Sequence, residues 1–357
     1  MTFEAKVISE GYSVGVNNRQ NFFRTMFFGQ SKSGSEIKEQ YELLLPDEAK
    51  AGCTNLGGSA NIVQPAKGSI VHSSAVKIFE EIDYNEITRK DGNRIIMGGV
   101  AGYSASDIQK VAQETLERRF VAREDWMCAQ LLTQGVVIGT DAAGNVVDGG
   151  VQVWHTAVTG TGATFANATA ASDPILAATE NWSTGDPAKD IIAAQMLARS
   201  LGARNPDALV MGSEVISQFL VNSKVKDLLD VFNISAGRLR LDAQSSGVLS
   251  RDPGVTFYGT FLGLDVYGCS DSNRMDSKSA LVASYTAGGS RKMRYCWQNI
   301  PSSPTAQSAL VSTSAERAIY YAVSFNPPSA AWYMSTLCIP YSPWKWNAIV
   351  IKSCLGA

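Results

Sequence analysis

Apolar positions recur at helical spacing through one long stretch in the first half of the chain, residues 106–134. They fall near one side at i, i+3 and i+4 spacing and include Ile108, Val111, Ala112, Leu116, Phe120, Met127 and Leu131. Ser106 and Gln109 have the spacing of a capping box, and Gly135 can adopt the left-handed conformation that ends a helix. The pattern therefore predicts a helix over 106–134, roughly 45 Å long at ~1.5 Å per residue.

Such a helix is much longer than the usual globular helix of about 11 to 12 residues, so we expect it to span a whole subunit. Arg119 and Arg123 interrupt its apolar side. Their side chains either extend into solvent or pair with carboxylates of a neighbouring chain.

Residues 75–84 alternate between apolar and charged side chains, which predicts a strand. Arg94 to Met97 could return antiparallel to it after the Asp91-Gly92 turn, forming a hairpin with the charged tip TRKDGNR, although an ordinary solvated loop fits the same residues. Glu80 and Glu81 are adjacent and point to opposite faces of the strand, so they suit salt bridges better than acid/base chemistry.

The remaining pattern mixes helices and strands. Residues 1–59 show little periodicity, which suits an extended arm that orders on a partner. After the long helix come two short strands around Asn145, a helix from Asp186-Pro187 to Gly202, a buried strand in NPDALVMG, and helices capped by Ser213 and by Ser223. Residues beyond about Gly254 are strand-like. The fold class predicted is α+β, without a repeat that would indicate a solenoid or propeller.

The amino-acid composition argues against several classes of function. Apolar residues make up 45% of the chain and charged residues 18%, as in folded soluble proteins, and the net charge of −2 provides no global basic surface for nucleic acid. Any contact with DNA would be local and weak. The six cysteines form no CxxC pair, which argues against zinc and a disulfide framework and indicates reduced thiols. The sequence shows neither a signal peptide nor a membrane span, so we expect folding in a cytoplasm.

Catalytic motifs are nearly absent. GYSVG at 11–15 matches the nucleophile-elbow pattern around Ser13, with His72 and His155 as candidate bases, but only ten residues precede it, whereas a hydrolase elbow follows several strands. There is no phosphate-binding loop, dinucleotide fingerprint, HExxH motif or EF-hand loop. We therefore expect no enzyme activity, no cofactor and no metal.

RFVAREDWMCAQLLTQG at 119–135 resembles the long spine helix of the major head proteins of lambda-like tailed phages. NVVDGG at 145–150 is similar to the acidic strand that follows it in that family. NWSTGDPAKDI and GARNPDALVMGSEVISQFL look like the next helix and Val-Met-Gly strand, and VKIFEEIDYNEI looks like the strand of the family's extended loop. The order and spacing agree over roughly residues 75–230.

The resemblance implies the HK-97 type phage capsid fold. Its expected divisions are an N-terminal arm (1–59), an extended hairpin loop (60–103), a peripheral domain with the spine helix (104–190), an axial domain (191–300) and C-terminal strands of the peripheral domain (301–357). The expected function is that of a major capsid protein in the icosahedral head of a tailed phage, enclosing double-stranded DNA.

That function implies partners and a location. The partners are other copies of the chain in hexamers and pentamers, a scaffold protein, a portal protein, a decoration protein in some phages, and the packaged DNA through weak non-specific contact, with no membrane. The location is the virion capsid, assembled in the host cytoplasm. Since the chain starts at Met1 without a long charged helical prefix, we expect the scaffold to be a separate protein. The residues expected to form contacts between subunits are Lys90, Asp91, Arg94, Arg119 and Arg123.

Three alternatives stay open at this point. An encapsulin-like cellular shell shares the fold but would carry cargo instead of DNA. A hydrolase using Ser13 would turn over esters. A tail or scaffold protein of the same virus would form tubes or rods.

Overall fold

The structure is a computed structural model, and it describes the chain in separate stretches. These are residues 21–28, 30–33, 38–43, 69–74, 76–83, 105–140, 145–153, 164–165 with 168, 173–201, 205–231, 237–239 with 252–285, and 291–295 with 308–313, 317–325, 328–342 and 345–356. The return strand and charged tip predicted around Asp91, with Lys90 and Arg94, lie outside them.

The described elements are numbered in chain order. The helices are α1 (Phe22–Phe27), α2 (Ala105–Gln134), α3 (Pro187–Ser200), α4 (Ser213–Val221) and α5 (Ser223–Val231). The strands are β1 (Gln30–Ser33), β2 (Lys38–Leu43), β3 (Ser69–Ser74), β4 (Val76–Asp83), β5 (Val136–Thr140), β6 (Val146–Val153), β7 (Ile175–Ala177), β8 (Ala208–Gly212), β9 (Gly237–Leu239), β10 (Val255–Phe261), β11 (Leu264–Cys269), β12 (Ala280–Ala283), β13 (Lys292–Tyr295), β14 (Ser308–Thr313), β15 (Ala318–Phe325), β16 (Pro328–Tyr341) and β17 (Ala348–Lys352). This mixture confirms the α+β class.

The long helix α2 runs for 30 residues, about 45 Å. It begins at Ala105, one residue before the cap predicted at Ser106, and it ends where predicted. Gly135 follows it with φ of 70° and donates its N–H to the Leu131 carbonyl at 3.0 Å. The predicted apolar side is buried at Ala112, Leu116, Phe120, Met127 and Leu131. Beyond residue 124 the helix is buried on almost every side, which an amphipathic pattern does not predict.

Among the described strands, seven form one mixed sheet in the order β7-β17-β12-β8-β11-β10-β9. The buried strand predicted in NPDALVMG is its centre, β8, which pairs parallel with β11 and antiparallel with β12. Helices α3 and α4 cover one face of this sheet with a separate apolar cluster that includes Ile191, Phe219 and Trp182. The opposite face belongs to the main core.

A second sheet is built on the long strand β16. It holds β1, β13, β16, β15 and β14 in that order, and β4 also pairs with β16. Alternate residues of β16, Met334, Thr336 and Cys338, are at most 1% exposed and lie on the side toward α2. The strand predicted over 75–84 forms as β4 (Val76–Asp83), with β16 as its antiparallel partner. Helix α2 and the main core lie between the two sheets.

One part of the predicted arm is a core element instead. In α1 and the residue after it, Phe22, Phe23, Phe27 and Phe28 are at most 1% exposed and join the main core. The expectation of an arm without core residues is wrong for 21–28. Four phenylalanines in seven residues carry more apolar surface than an extended segment can leave in water.

Helix caps differ in their details from the sequence prediction. Asp186 caps α3 as expected, accepting the Ala188 N–H at 3.1 Å ahead of Pro187. Ser213 is the first helical residue of α4 and its predicted capping role is wrong. The cap of α5 is Asn222, not Ser223, since the Asn222 Oδ1 accepts the N–H of Lys224 at 2.8 Å. None of the described helices combines the length and apolar character needed to cross a bilayer.

Candidate functional site

Two adjacent acids at the buried end of α2 organise a polar network inside the main core. Glu124 and Asp125 are both 0% exposed. Successive residues on an α-helix point about 100° apart, so the two carboxylates leave the helix in different directions. Each reaches the loops of a different sheet.

Asp125 reaches the seven-stranded sheet. Its Oδ2 accepts a hydrogen bond at 3.0 Å from Nη1 of Arg274, which lies in the turn between β11 and β12. Arg274 also binds Asp252, just before β10, through Nη1 at 2.5 Å and Nη2 at 3.0 Å, and it binds Asp271 through Nε at 3.1 Å. The guanidinium is 2% exposed, so every charge that satisfies it comes from the protein.

The close approach of Arg274 to Asp252 depends on a glycine. Asp252 accepts a hydrogen bond from the Gly254 N–H at 2.8 Å, and a Cβ at Gly254 would overlap Nη2 of Arg274. The glycine of the local sequence DPG thus leaves room for the buried guanidinium of Arg274.

Glu124 reaches the six-stranded sheet. Arg317, immediately before β15, donates from Nη2 to both carboxylate oxygens of Glu124 at 3.2 and 3.1 Å. Tyr295, at the end of β13, donates its hydroxyl to Glu124 Oε2 at 3.1 Å. Arg317 also pairs at 3.3 Å with Glu117, which lies about two turns before Glu124 on the same helix.

Arg24 of α1 connects the two halves of the network. Its backbone N–H binds Asp125 Oδ1 at 2.8 Å, while its guanidinium lies 3.2 Å from Glu124 Oε2 and donates to the Tyr295 hydroxyl at 2.7 Å. Asp252 in turn accepts the backbone N–H of Phe22 at 3.2 Å. The network therefore joins α1, α2 and both sheets at one point.

Burial raises the pKa of Asp125 to about 6, although the Arg24 backbone N–H and Arg274 both act to lower it and Asp252 adds to the rise. Arg274 responds in the opposite direction: burial lowers its pKa, but the hydrogen bonds and charges of Asp252, with the charge of Asp125, outweigh burial and leave the pKa above its usual value. Asp125 receives one hydrogen bond from the Arg274 guanidinium, which does not offset the burial of its carboxylate.

The predicted interface residues on α2 lie on its other flank. Arg119, 65% exposed, forms an ion pair with Glu80 of β4 at 2.6 Å, through Nε, within the same chain. Arg123 stacks on Trp126 with the guanidinium carbon 4.3 Å from the ring centroid, and burial lowers its pKa. The salt-bridge role expected for Glu80 is confirmed. The partner of Arg119 in this subunit is its own strand.

The buried network is not among the features predicted from the sequence. The available signal is the pair Glu124-Asp125 directly before the apolar run WMCAQLL, where an amphipathic helix would have kept a solvated face. The partners Arg274 and Arg317 lie 149 and 193 residues away along the chain and carry no local signal.

The arrangement holds elements together, and its carboxylates are engaged by arginines. Within the described ranges, no three His, Cys, Asp or Glu side chains converge on a position that could hold a metal ion. Among the described cysteines, Cys128, Cys269, Cys338 and Cys354 are buried free thiols. The motif around Ser13 and His155 lies outside the described residues.

Comparison with known proteins decides the family. The model of the family named Phage major capsid protein E matches residues 17–283, which is most of the chain. This chain belongs to that family. A phage major capsid protein forms the shell of the phage head. The family match therefore confirms the resemblance to phage head proteins that the long helix carries.

The fold agrees with that assignment. The capsid protein assigned to a prophage of E. coli CFT073 is similar at a TM-score of 0.52 and 13% identity, covering 93% of this chain and 92% of that one. A chain of Mycobacterium phage Patience gives 0.49 at 8% identity over 100% and 90%. The encapsulin complex of Synechococcus elongatus PCC 7942 gives 0.40 at 9% identity over 91% and 84%. The capsid protein has the HK-97 type fold. A search of curated proteins finds no significant match.

Proposed function

We propose that this major capsid protein assembles into the hexamers and pentamers of an icosahedral head, around a separate scaffold protein and with a portal protein at one vertex. The head encloses double-stranded DNA, and assembly takes place in the host cytoplasm. The protein performs no chemistry. The observation that carries the proposal is the family match over residues 17–283.

The buried network supports this proposal physically. A subunit of a shell is held by neighbours on several sides, so its own parts must keep fixed positions while contacts form around it. Glu124 and Asp125 bind the loops of both sheets and α1 from one turn of the long helix. Removing a partner from such a buried pair costs about 3–5 kcal/mol, which makes relative movement of the two sheets unfavourable.

Contacts between subunits form the second part of the proposal. We assign them to Lys90, Asp91 and Arg94 in the extended loop and to Arg119 and Arg123 on the long helix. Arg119 is 65% exposed even while paired with Glu80, so its remaining N–H donors are open to a carboxylate of another copy. Contact with DNA is weak and non-specific, since the net charge is −2.

The test is negative-stain electron microscopy and light scattering on the purified, untagged protein, made with and without its scaffold partner. Closed shells or capsomer rings are expected. A stable 38.3 kDa monomer under every condition would overturn the proposal, and tubes or rods would point to a tail or scaffold protein.

A second measurement distinguishes the phage head from an encapsulin-like shell. Particles purified from cells in which the whole phage is induced should contain nuclease-resistant double-stranded DNA and one portal. Particles filled with a protein cargo and lacking DNA would contradict the head assignment and favour the cellular shell.

A further inference from the structure

One side of helix α3 is exposed to solvent although the residues at its centre are apolar. Ile192 and Met196, one turn apart, are 41% and 63% exposed. Lys189 and Arg199 extend the same stripe at each end, three residues before and after. The opposite side of α3 is buried on the seven-stranded sheet through Ile191, Ala194 and Ala198. We call the exposed stripe the α3 face.

Helix α4 has a stripe of the complementary kind. Val221 is 57% exposed, and Glu214 and Gln218 lie on the same side at i, i+4 and i+7 spacing. The Glu214 carboxylate accepts a hydrogen bond from Ser277 Oγ at 2.6 Å, and within the described part of the chain it forms no salt bridge. We call this stripe the α4 face. The buried side of α4, with Val215, Ile216 and Phe219, packs on the same sheet face as α3.

The two faces carry opposite charges, and each also carries exposed apolar surface. The α3 face carries a cation at each end of its apolar centre. Lys189 also lies 4.0 Å from Glu180, and Arg199 donates its Nε to Asn205 at 2.8 Å, which leaves its terminal N–H groups for a second partner. The α4 face pairs an acid with an apolar residue. Two α3 faces would bring Lys189 and Arg199 against their own copies, which like charges disfavour. A ring of identical subunits needs two different patches that fit each other, because each subunit contacts one neighbour with one patch and the next neighbour with the other.

We propose that the α3 face of one subunit docks against the α4 face of a second copy in the capsomer ring. Arg199 meets Glu214 of the neighbouring copy, and Ile192 and Met196 are covered beside Val221 of that copy. This inference rests on the proposed function, since it names one contact by which the rings form. Both faces belong to helices that pack on the same side of the seven-stranded sheet.

Charge reversal tests the contact. Arg199→Glu and Glu214→Arg each place like charges across every α3–α4 contact and should lower shell yield about tenfold or more. Chains with both substitutions should recover most of the wild-type yield. Lys226→Glu, an exposed reversal on α5, is the matched control and should leave the yield within about twofold of wild type. Circular dichroism and subunit solubility show that each variant is folded.

Mixing the two single variants separates a contact between copies from one within a chain. In a six-membered ring that alternates Arg199→Glu and Glu214→Arg subunits, half of the contacts join Arg199 to Glu214 as in wild type. The other half join the two substituted residues, which also carry opposite charges. Co-expression should therefore recover hexamers. Pentamers, with an odd number of subunits, retain one mismatched contact and should recover less. Wild-type shells together with no rescue in the mixture would overturn this inference and leave the proposed function intact. Absence of shells from the wild-type protein would instead count against the proposed function itself.

Discussion

Asp125 and Arg274 lie 149 residues apart in the chain, yet their side chains meet at 3.0 Å where neither is more than 2% exposed. The contact joins the long helix to the turn between β11 and β12. A single substitution at this contact can therefore weaken the attachment of the long helix to the seven-stranded sheet.

Arg274→Met should destabilise the unassembled subunit by about 3–5 kcal/mol, because it leaves Asp125 and Asp252 buried without their common cation. Chemical denaturation of the subunit measures the loss. Arg274→Lys keeps the charge but cannot reproduce the fork that binds both carboxylates, so it should recover only part of the stability. A Lys variant as stable as wild type would show that the charge alone is sufficient.

Asp125→Asn should change how stability depends on pH. Asp125 has a folded pKa of about 6 against an ordinary 3.8, so its contribution is fully present below about pH 4 and is lost as pH rises through 6. The variant cannot titrate at this position. The stability of wild type relative to Asp125→Asn should therefore fall by roughly 3 kcal/mol between pH 3 and pH 8. Denaturation curves at several pH values measure this difference, and parallel pH profiles would contradict the assignment.

Arg119→Ala combined with Arg123→Ala should reduce shell yield more than subunit solubility, if these arginines contact neighbours as proposed. The pair of Arg119 with Glu80 is partly exposed, so its loss should cost the subunit less than about 1 kcal/mol. Glu80→Gln is the matched control, since it removes the internal pair but keeps both arginines. Shell yield is counted by electron microscopy after sedimentation. Unchanged yield in the double variant would remove both arginines from the interface.

Asn222→Ala should destabilise the subunit by about 2–3 kcal/mol. Asn222 caps α5, and its Nδ2 donates to the buried carbonyls of Trp182 and Gly185 at 2.7 and 3.1 Å, so both the cap and two donated hydrogen bonds are lost. Ser223→Ala, at the neighbouring position, should cost under about 0.5 kcal/mol. Thermal unfolding of both variants compares them directly. Equal losses of stability in the two variants would indicate that Ser223 also caps the helix.

Local signals explain which parts of the fold could be predicted from sequence. The long helix, the cap at Asp186, the buried strand β8 and the strand β4 each depend on residues within a few positions of one another. The predicted caps at Ser213 and Ser223 are wrong because serine suits both a cap and the first turn, and only the backbone decides between them. The burial of Phe22 and Phe23 depends on Tyr267 and on the long helix, which the local sequence does not contain.

The candidate site was less predictable for the same reason. The exposed flank of α2, with Arg119 and Arg123, is visible as charged residues on an apolar helix. The buried network is not, because the contacts of Glu124 and Asp125 with Arg24, Arg274 and Arg317 each join residues that are far apart in the chain. A buried acid also looks the same in sequence as a solvated one.

The adjacency of Glu124 and Asp125 has a mechanical consequence. A load that pushes on the loops of one sheet passes through a single turn of helix to the loops of the other, by ion pairs that are stiff because they are dehydrated. Pressure applied to such a subunit from one side is therefore shared between its two sheets instead of being absorbed by movement of one sheet against the other.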